Sequence, residues 1–216
     1  MAQRKPKAAK IPPPPPAPLR VIAGRYRRRH LKSLPGLTTR PMLDRQRETL
    51  FNVLQNDIEG AVFVDLYAGT GAVGIEALSR GASQVFWVES NPQAVAIIRE
   101  NLSTLGITEN AVVRAEPVGR VVSGLSADIF FLGPPYEAHQ EYEQTLSTLG
   151  EHPPKLVIAQ HARSHELAEQ YGRLQRYRVI RQGNNTLTFF KPAPDLPPAP
   201  QPAVDRELAA PVSEQE

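Results

Sequence analysis

Three glycines and two acids carry the spacing from which chemistry can be read. Gly69, Gly71 and Gly74 follow an apolar, β-branched run, Val62-Phe-Val-Asp-Leu66, and lead into Ala72-Val-Gly-Ile-Glu-Ala-Leu-Ser-Arg80. The order is strand, glycine turn, helix. Glycines at 69 and 71 let the chain turn tightly, expose backbone N–H groups and put no side chain in the way of a ligand. Gln84-Val-Phe-Trp-Val-Glu89 is a second apolar strand that ends in a carboxylate. An acid about twenty residues past such a turn accepts hydrogen bonds from two ribose hydroxyls. Together these features point to a nucleoside-type cofactor, whereas the glycine turn alone could be tight packing. Taken literally, Gly69-x-Gly71-x-x-Gly74 also fits the dinucleotide fingerprint, so a nicotinamide-dependent oxidoreductase stays open here.

A second informative stretch is Asp128-Ile-Phe-Phe-Leu-Gly-Pro-Pro-Tyr136. A strand runs into Gly133, Pro134, Pro135 and Tyr136 at the carboxyl edge of the sheet, the same edge as the glycine turn. The prolines fix the backbone, so the carbonyl oxygens of Gly133 and Pro134 point in set directions. Tyr136 then offers a flat face to a planar ring. The five histidines show no metal spacing; His161 and His165 form an i, i+4 pair without an acidic motif and read as surface chance. Trp87 reads as core, and Asp128 as a solvent-exposed strand start.

Positioning these groups takes an alternating chain. Strands are expected at 62–66, 84–88, 111–115, 127–132, 155–160, 174–181 and 185–190, and helices at 72–80, 91–105, 117–123, 138–149 and 164–171. Asn91-Pro92 is a good helix start, with Asn as cap and Pro in the first turn. Gly183-Asn184-Asn185 is a turn signal that makes the last two strands an antiparallel hairpin. The outcome is an α/β fold whose parallel sheet ends in that hairpin. Upstream, 19–24 and 26–31 read as two short strands joined near Gly24, and Asp44 caps a helix running from Arg45 to about Gln55.

Of the 216 residues none is cysteine, which removes disulfides and thiol chemistry. No apolar run approaches membrane-spanning length and no secretory signal is visible, so the cytoplasm is expected. The net charge of +3 is unevenly spread: residues 1–47 hold thirteen Lys/Arg and one acid, Asp44, while the rest holds twelve Lys/Arg and twenty-one acids. That polarity suggests a basic arm for a polyanion on a mildly acidic globule. The proline-rich ends, 1–18 and 192–216, are expected to be disordered.

From Arg20 to Lys191 the chain resembles the bacterial S-adenosylmethionine-dependent methyltransferases that modify the exocyclic N2 amine of a guanine in 16S ribosomal RNA. The resemblance rests on Arg20-Val-Ile-Ala-Gly24, Arg40-Pro41, Asp44-Arg-Gln-Arg-Glu-Thr-Leu-Phe-Asn52, Asp65-Leu-Tyr-Ala-Gly-Thr-Gly71, Gly74-Ile-Glu-Ala-Leu-Ser-Arg-Gly-Ala82, Glu89 and Pro134-Pro135-Tyr136. It implies a Rossmann-like class I methyltransferase fold with a seven-stranded, mostly parallel sheet ending in an antiparallel hairpin, plus a small basic N-terminal β-hairpin extension. S-adenosyl-L-methionine would be held by Asp65, Tyr67, Ala68, Gly69, Thr70, Gly71, Glu89 and Ser90. The catalytic edge would be Gly133, Pro134, Pro135 and Tyr136, with the target base swung out and stacked on Tyr136. Arg20, Arg25, Arg27, Arg28, Arg29, Lys32 and Arg40 would meet ribosomal RNA or a small-subunit particle, with no metal and no membrane. The implied organisation is a tail at 1–18, a basic hairpin and helix for RNA docking at 19–59, the methyltransferase domain at 60–191 and a tail at 192–216.

Three positions depart from the family pattern. Gly133 stands where the family has Asp, Gln160 where it usually has Glu, and Met42 where Thr is usual. The missing acid would otherwise accept a hydrogen bond from the target amine, so weakened transfer is expected; an inactive relative that binds cofactor and RNA is the alternative.

Overall fold

The structure, a computed structural model, describes residues 18–33, 42 and 44–194. Its frame is an eight-stranded sheet in the order β3-β2-β1-β4-β5-β8-β7-β6. The strands are β1 (Val62–Leu66), β2 (Gln84–Val88), β3 (Ala111–Arg114), β4 (Ile129–Leu132), β5 (Leu156–Ala162), β6 (Gln170–Tyr171), β7 (Leu174–Gln182) and β8 (Asn185–Pro192). β1 to β5 are mutually parallel, and β6, β7 and β8 pair antiparallel. The helices are α1 (Asp44–Val53), α2 (Ala72–Ser79), α3 (Pro92–Leu105), α4 (Val118–Val121) and α5 (His139–Glu151), with a 3₁₀ turn at Val122–Gly124.

Alternation along each strand splits the apolar residues between two faces. Phe63, Trp87, Ile129, Phe131 and Ile158 pack with Leu50, Phe51, Ile75 and Ile98 of α1, α2 and α3. Val64, Leu66, Phe130, Leu132 and Val157 pack with Tyr142 and Leu146 of α5 and Val118 of α4. Asn91 caps α3 as expected, accepting from Gln93 N at 2.8 Å and Ala94 N at 3.2 Å.

Three expectations are corrected. The helix at 164–171 does not form, and its end instead supplies β6, the eighth strand. There tertiary partners take the backbone: Leu167 O accepts from Arg176 Nη1 at 3.1 Å, and Ala168 N donates to Tyr171 Oη at 3.0 Å. The segment 117–123 divides into α4 and the 3₁₀ turn. The basic hairpin is reduced to one antiparallel bridge, Arg20 to His30. Its backbone is claimed by buried side chains of α2 and α3 instead of by a second strand. Glu76, fully buried, accepts from Ile22 N at 2.8 Å and Ala23 N at 3.0 Å. Ser79 Oγ accepts from Tyr26 N at 3.0 Å, and Asn101 Oδ1 accepts from Lys32 N at 2.8 Å. Gly24 has a φ of 79°, and a Cβ there would lie 1.8 Å from Ser79 O, so only glycine fits. Val21 and Leu31 join the same core as α1, α2 and β1.

Candidate functional site

The glycine turn is built from beneath. Asp65 is 1% exposed at the end of β1 and accepts from Gly74 N at 2.9 Å, tying the strand to the first turn of α2. Burial raises its pKa to about 8, with the Glu89 charge adding to the rise and the Gly74 bond opposing it. Gly74 is a packing glycine: a Cβ there would fall 2.3 Å from Trp87 Nε1. Trp87 is fully buried and donates to Gly71 O at 3.1 Å, which fixes the turn from the neighbouring strand. The literal fingerprint is therefore partly a packing device.

Above this base, Glu89 closes the turn. Its Oε2 accepts from Gly69 N and its Oε1 from Asn91 N, both at 2.8 Å. Each oxygen keeps a further lone pair, so the carboxylate arrives oriented for ligand hydroxyls. Tyr67, a non-glycine residue with a φ of 58°, is held by Glu141 Oε2 at 2.6 Å and Thr145 Oγ1 at 2.9 Å. Backbone conformations of this kind persist where surrounding contacts enforce them. Burial, followed by the Glu141 bond, pushes the Tyr67 phenol up, so it stays protonated.

Tyr67, Glu89 and Ser90 line a cleft of about 200 Å³ with Pro117, Val118, Gly119, Arg120, Glu141 and Gln144. Asp65, Ala68, Gly69, Thr70 and Gly71 are not among the lining side chains; they form and support the turn at its edge. Sequence reasoning missed the wall after β3. The signal was present, since Pro117 follows a strand at the same carboxyl edge as Glu89.

The second edge lies at the ends of β4 and β5. A Cβ on Gly133 would meet Phe131 Cε1 at 3.5 Å and Gln160 Oε1 at 3.6 Å, ordinary contact distances with no backbone strain. The side-chain amide of Gln160, which is nearly buried, thus sits beside the space that a larger residue at 133 would fill. The Pro134 carbonyl already accepts from Tyr142 Oη at 3.2 Å, and the same hydroxyl reaches Gln160 O at 2.9 Å. Tyr136 is 39% exposed and its hydroxyl donates to Asn185 Oδ1.

Of the basic arm, Arg20 pairs with Asp44 at 3.1 Å, Arg25 stacks over Tyr26, Arg29 donates to Thr104 O at 2.8 Å and Lys32 pairs with Glu100. Arg27 and Arg28 are exposed and have no side-chain partner among the described residues. Arg40 lies outside the described residues. The reading of His161 and His165 as surface chance is overturned. His161 is 4% exposed with Nε2 2.8 Å from Thr188 Oγ1, and His165 Nδ1 lies 2.5 Å from His139 Nδ1. Burial pushes both His161 and His165 below the ordinary imidazole pKa, which leaves them neutral at pH 7. Among the described residues no group of three or more His, Cys, Asp and Glu could hold a metal ion, and no helix is long and apolar enough to cross a membrane.

Known proteins are similar to this chain. The family model described as "Conserved hypothetical protein 95" matches residues 19–191. "Putative rRNA methyltransferase YlbH" of Bacillus subtilis is 32% identical over 182 residues, spanning 80% of this chain and 98% of that protein. "Ribosomal RNA small subunit methyltransferase D" of Escherichia coli is 38% identical over 121 residues, 55% of this chain and 60% of that one. The solved structure of "Putative methyltransferase yhhF from Escherichia coli" superposes with a TM-score of 0.71 at 30% identity, covering 80% of this chain and 97% of the other.

Proposed function

The chain belongs to the Conserved hypothetical protein 95 family, and on that premise we propose that it transfers a methyl group from S-adenosyl-L-methionine to the exocyclic N2 amine of a guanine in small-subunit ribosomal RNA. The observation that carries this reading is Glu89, whose carboxylate is held by Gly69 and Asn91 and lines a cleft with Tyr67, Ser90 and Val118. The residues present fit the group: Glu89 for the ribose hydroxyls, Tyr67 and Val118 as walls, and the turn from Ala68 to Gly71 at its edge. When bound, S-adenosylmethionine supplies a methyl already activated by the sulfonium, so alignment matters more than a strong base.

The chain's own residues then orient the nucleophile. Tyr136 offers a stacking face to an extruded base. An exocyclic amine is a poor nucleophile because its lone pair is delocalised into the ring, and an acceptor on its N–H groups counters that. With Gly at 133, the acceptors at this edge are the Gly133 carbonyl and the amide oxygen of Gln160; the Pro134 carbonyl is shared with Tyr142. Exposed Arg27 and Arg28, with their neighbours, supply phosphate contacts on the arm.

Isothermal titration with S-adenosylmethionine and S-adenosylhomocysteine, followed by tritium transfer to unmodified small-subunit RNA and particles, tests the reading. Binding with transfer is expected. Binding without transfer makes the chain a cofactor- and RNA-binding relative, and NAD binding in place of S-adenosylhomocysteine binding overturns the assignment.

A further inference from the structure

The loop that replaces the expected helix at 164–171 leaves part of the sheet bare. On the face packed by α5, β5, β8 and β7 present His161, Thr186, Thr188, Val179 and Arg181, since His161 pairs with Thr186, Arg181 with Thr186 and Val179 with Thr188. A helix-covered face would carry aliphatic residues at these positions. Here instead is a cleft of about 390 Å³ lined by His161, Arg163, Arg176, Arg181, Thr186 and Thr188. Its floor is polar and deep: His161, Thr186 and Thr188 are each 4% exposed or less. Glu166 is the acid among the described lining residues, against three guanidinium groups. Arg176 is aimed by Leu167 O and Glu169, whereas Arg163 and Arg181 have no side-chain partner among the described residues.

The cleft adjoins the edge where the nucleophile would be presented. Arg163 N donates to Asn184 O at 2.8 Å, and Asn185 next to it accepts from Tyr136. His139 touches His165 across the cleft wall. Tyr142, whose hydroxyl reaches Pro134 O, lies with its ring centroid 5.1 Å from that of His165. Along the carboxyl edge the order is therefore cofactor cleft at β1 and β2, reacting edge at β4, and basic cleft at β5, β8 and β7.

We propose that this cleft binds a phosphodiester group of the substrate RNA strand, adjacent to the nucleotide presented at Gly133–Tyr136. The planar forks of Arg163 and Arg181 suit phosphate oxygens. The Thr186 hydroxyl and His165 Nε2, which has no partner among the described residues, stand behind them as neutral donors, while His161 is engaged by Ala162 O and Thr188 Oγ1. This rests on the RNA methyl-transfer reading, and the two are separable by experiment.

The test compares the full chain with Arg163→Ala/Arg181→Ala, measuring RNA affinity against salt and S-adenosylhomocysteine affinity in parallel. Two lost phosphate contacts weaken RNA binding about 10-fold near 0.1 M salt and flatten the slope of log K against log salt by about 1.4. S-adenosylhomocysteine binding stays unchanged. RNA binding with an unaltered slope overturns the cleft alone. A wild-type chain that binds S-adenosylhomocysteine but no RNA overturns the cleft and the RNA reading together. Inorganic phosphate is titrated as a second probe, followed by the imidazole NMR signals. Phosphate that shifts those signals in the wild type, while RNA affinity ignores the double substitution, identifies a small-anion site and overturns the backbone assignment.

Discussion

The two halves of the carboxyl edge differ in what they keep. At β1 and β2 both acids are present and already engaged, Asp65 on Gly74 N and Glu89 on Gly69 N and Asn91 N. At β4 and β5 the corresponding positions are neutral, Gly133 and Gln160 with its amide oxygen beside the vacated space. One half is a preorganised anion-and-dipole cradle; the other offers only amide and backbone oxygens. Under the proposed function, binding a cofactor and steering a nucleophile are thus separable properties of one sheet edge.

Glu89→Ala is the strongest way to break the contrast. It removes the proposed ribose acceptor and leaves two backbone N–H groups without their partner, so S-adenosylhomocysteine affinity by titration should fall at least about 100-fold, or about 3 kcal/mol. A fall of only a few-fold would mean that the cradle is not where binding resides. Gly133→Asp sharpens the contrast from the other side. Its Cβ has room, and a restored acceptor should raise tritium transfer by about 5- to 150-fold, the equivalent of about 1–3 kcal/mol. No gain would show that the neutral edge already suffices, or that the target is not an amine.

A smaller effect concerns charge beneath the cradle. Burial holds the folded Asp65 pKa at about 8, above its ordinary value of 3.8. From about pH 4 to 8 the folded chain keeps a proton that the unfolded chain gives up, so this group costs stability as pH rises and the cost is constant above 8. Asp65→Asn has no proton to lose. Its melting temperature should gain on the wild type across that window, by about 2–4 °C per kcal/mol removed, and parallel curves would refute a protonated Asp65. Least affected is docking on the arm: Arg27→Gln/Arg28→Gln should weaken RNA binding several-fold, with a salt slope flatter by about 1.4 and no change in S-adenosylhomocysteine affinity. An unchanged slope would remove these two arginines from the interface.

Local sequence rules worked where local residues decide the outcome. The glycine turn, the Asn91-Pro92 helix start, the terminal hairpin and the core role of Trp87 were all legible, because spacing and turn chemistry fix them within a few residues. The failures share another cause. His165-Glu-Leu-Ala-Glu-Gln170 has good helix formers, yet Arg176 and Tyr171, from later in the chain, take its backbone groups. The arm alternates like a strand, but Glu76 and Ser79, more than fifty residues on, occupy its N–H groups. The grouping of His139 with the His161–His165 pair joins α5 to the end of β5 and the loop after it, a contact that spacing along the chain does not show. The cofactor cradle was half visible: its acids were read, while the wall at Pro117–Arg120 was not.

The clamp of α2 and α3 on the arm has a consequence for how its motion would be measured. Ile22, Ala23, Tyr26 and Lys32 lie in irregular chain, yet their amide protons are held by Glu76, Ser79 and Asn101. In deuterium these four should exchange slowly, at the rate of an internal strand, because opening any of them exposes a buried carboxylate, hydroxyl or amide. A circular-dichroism spectrum would count this stretch as coil. Its exchange lifetime would count it as core.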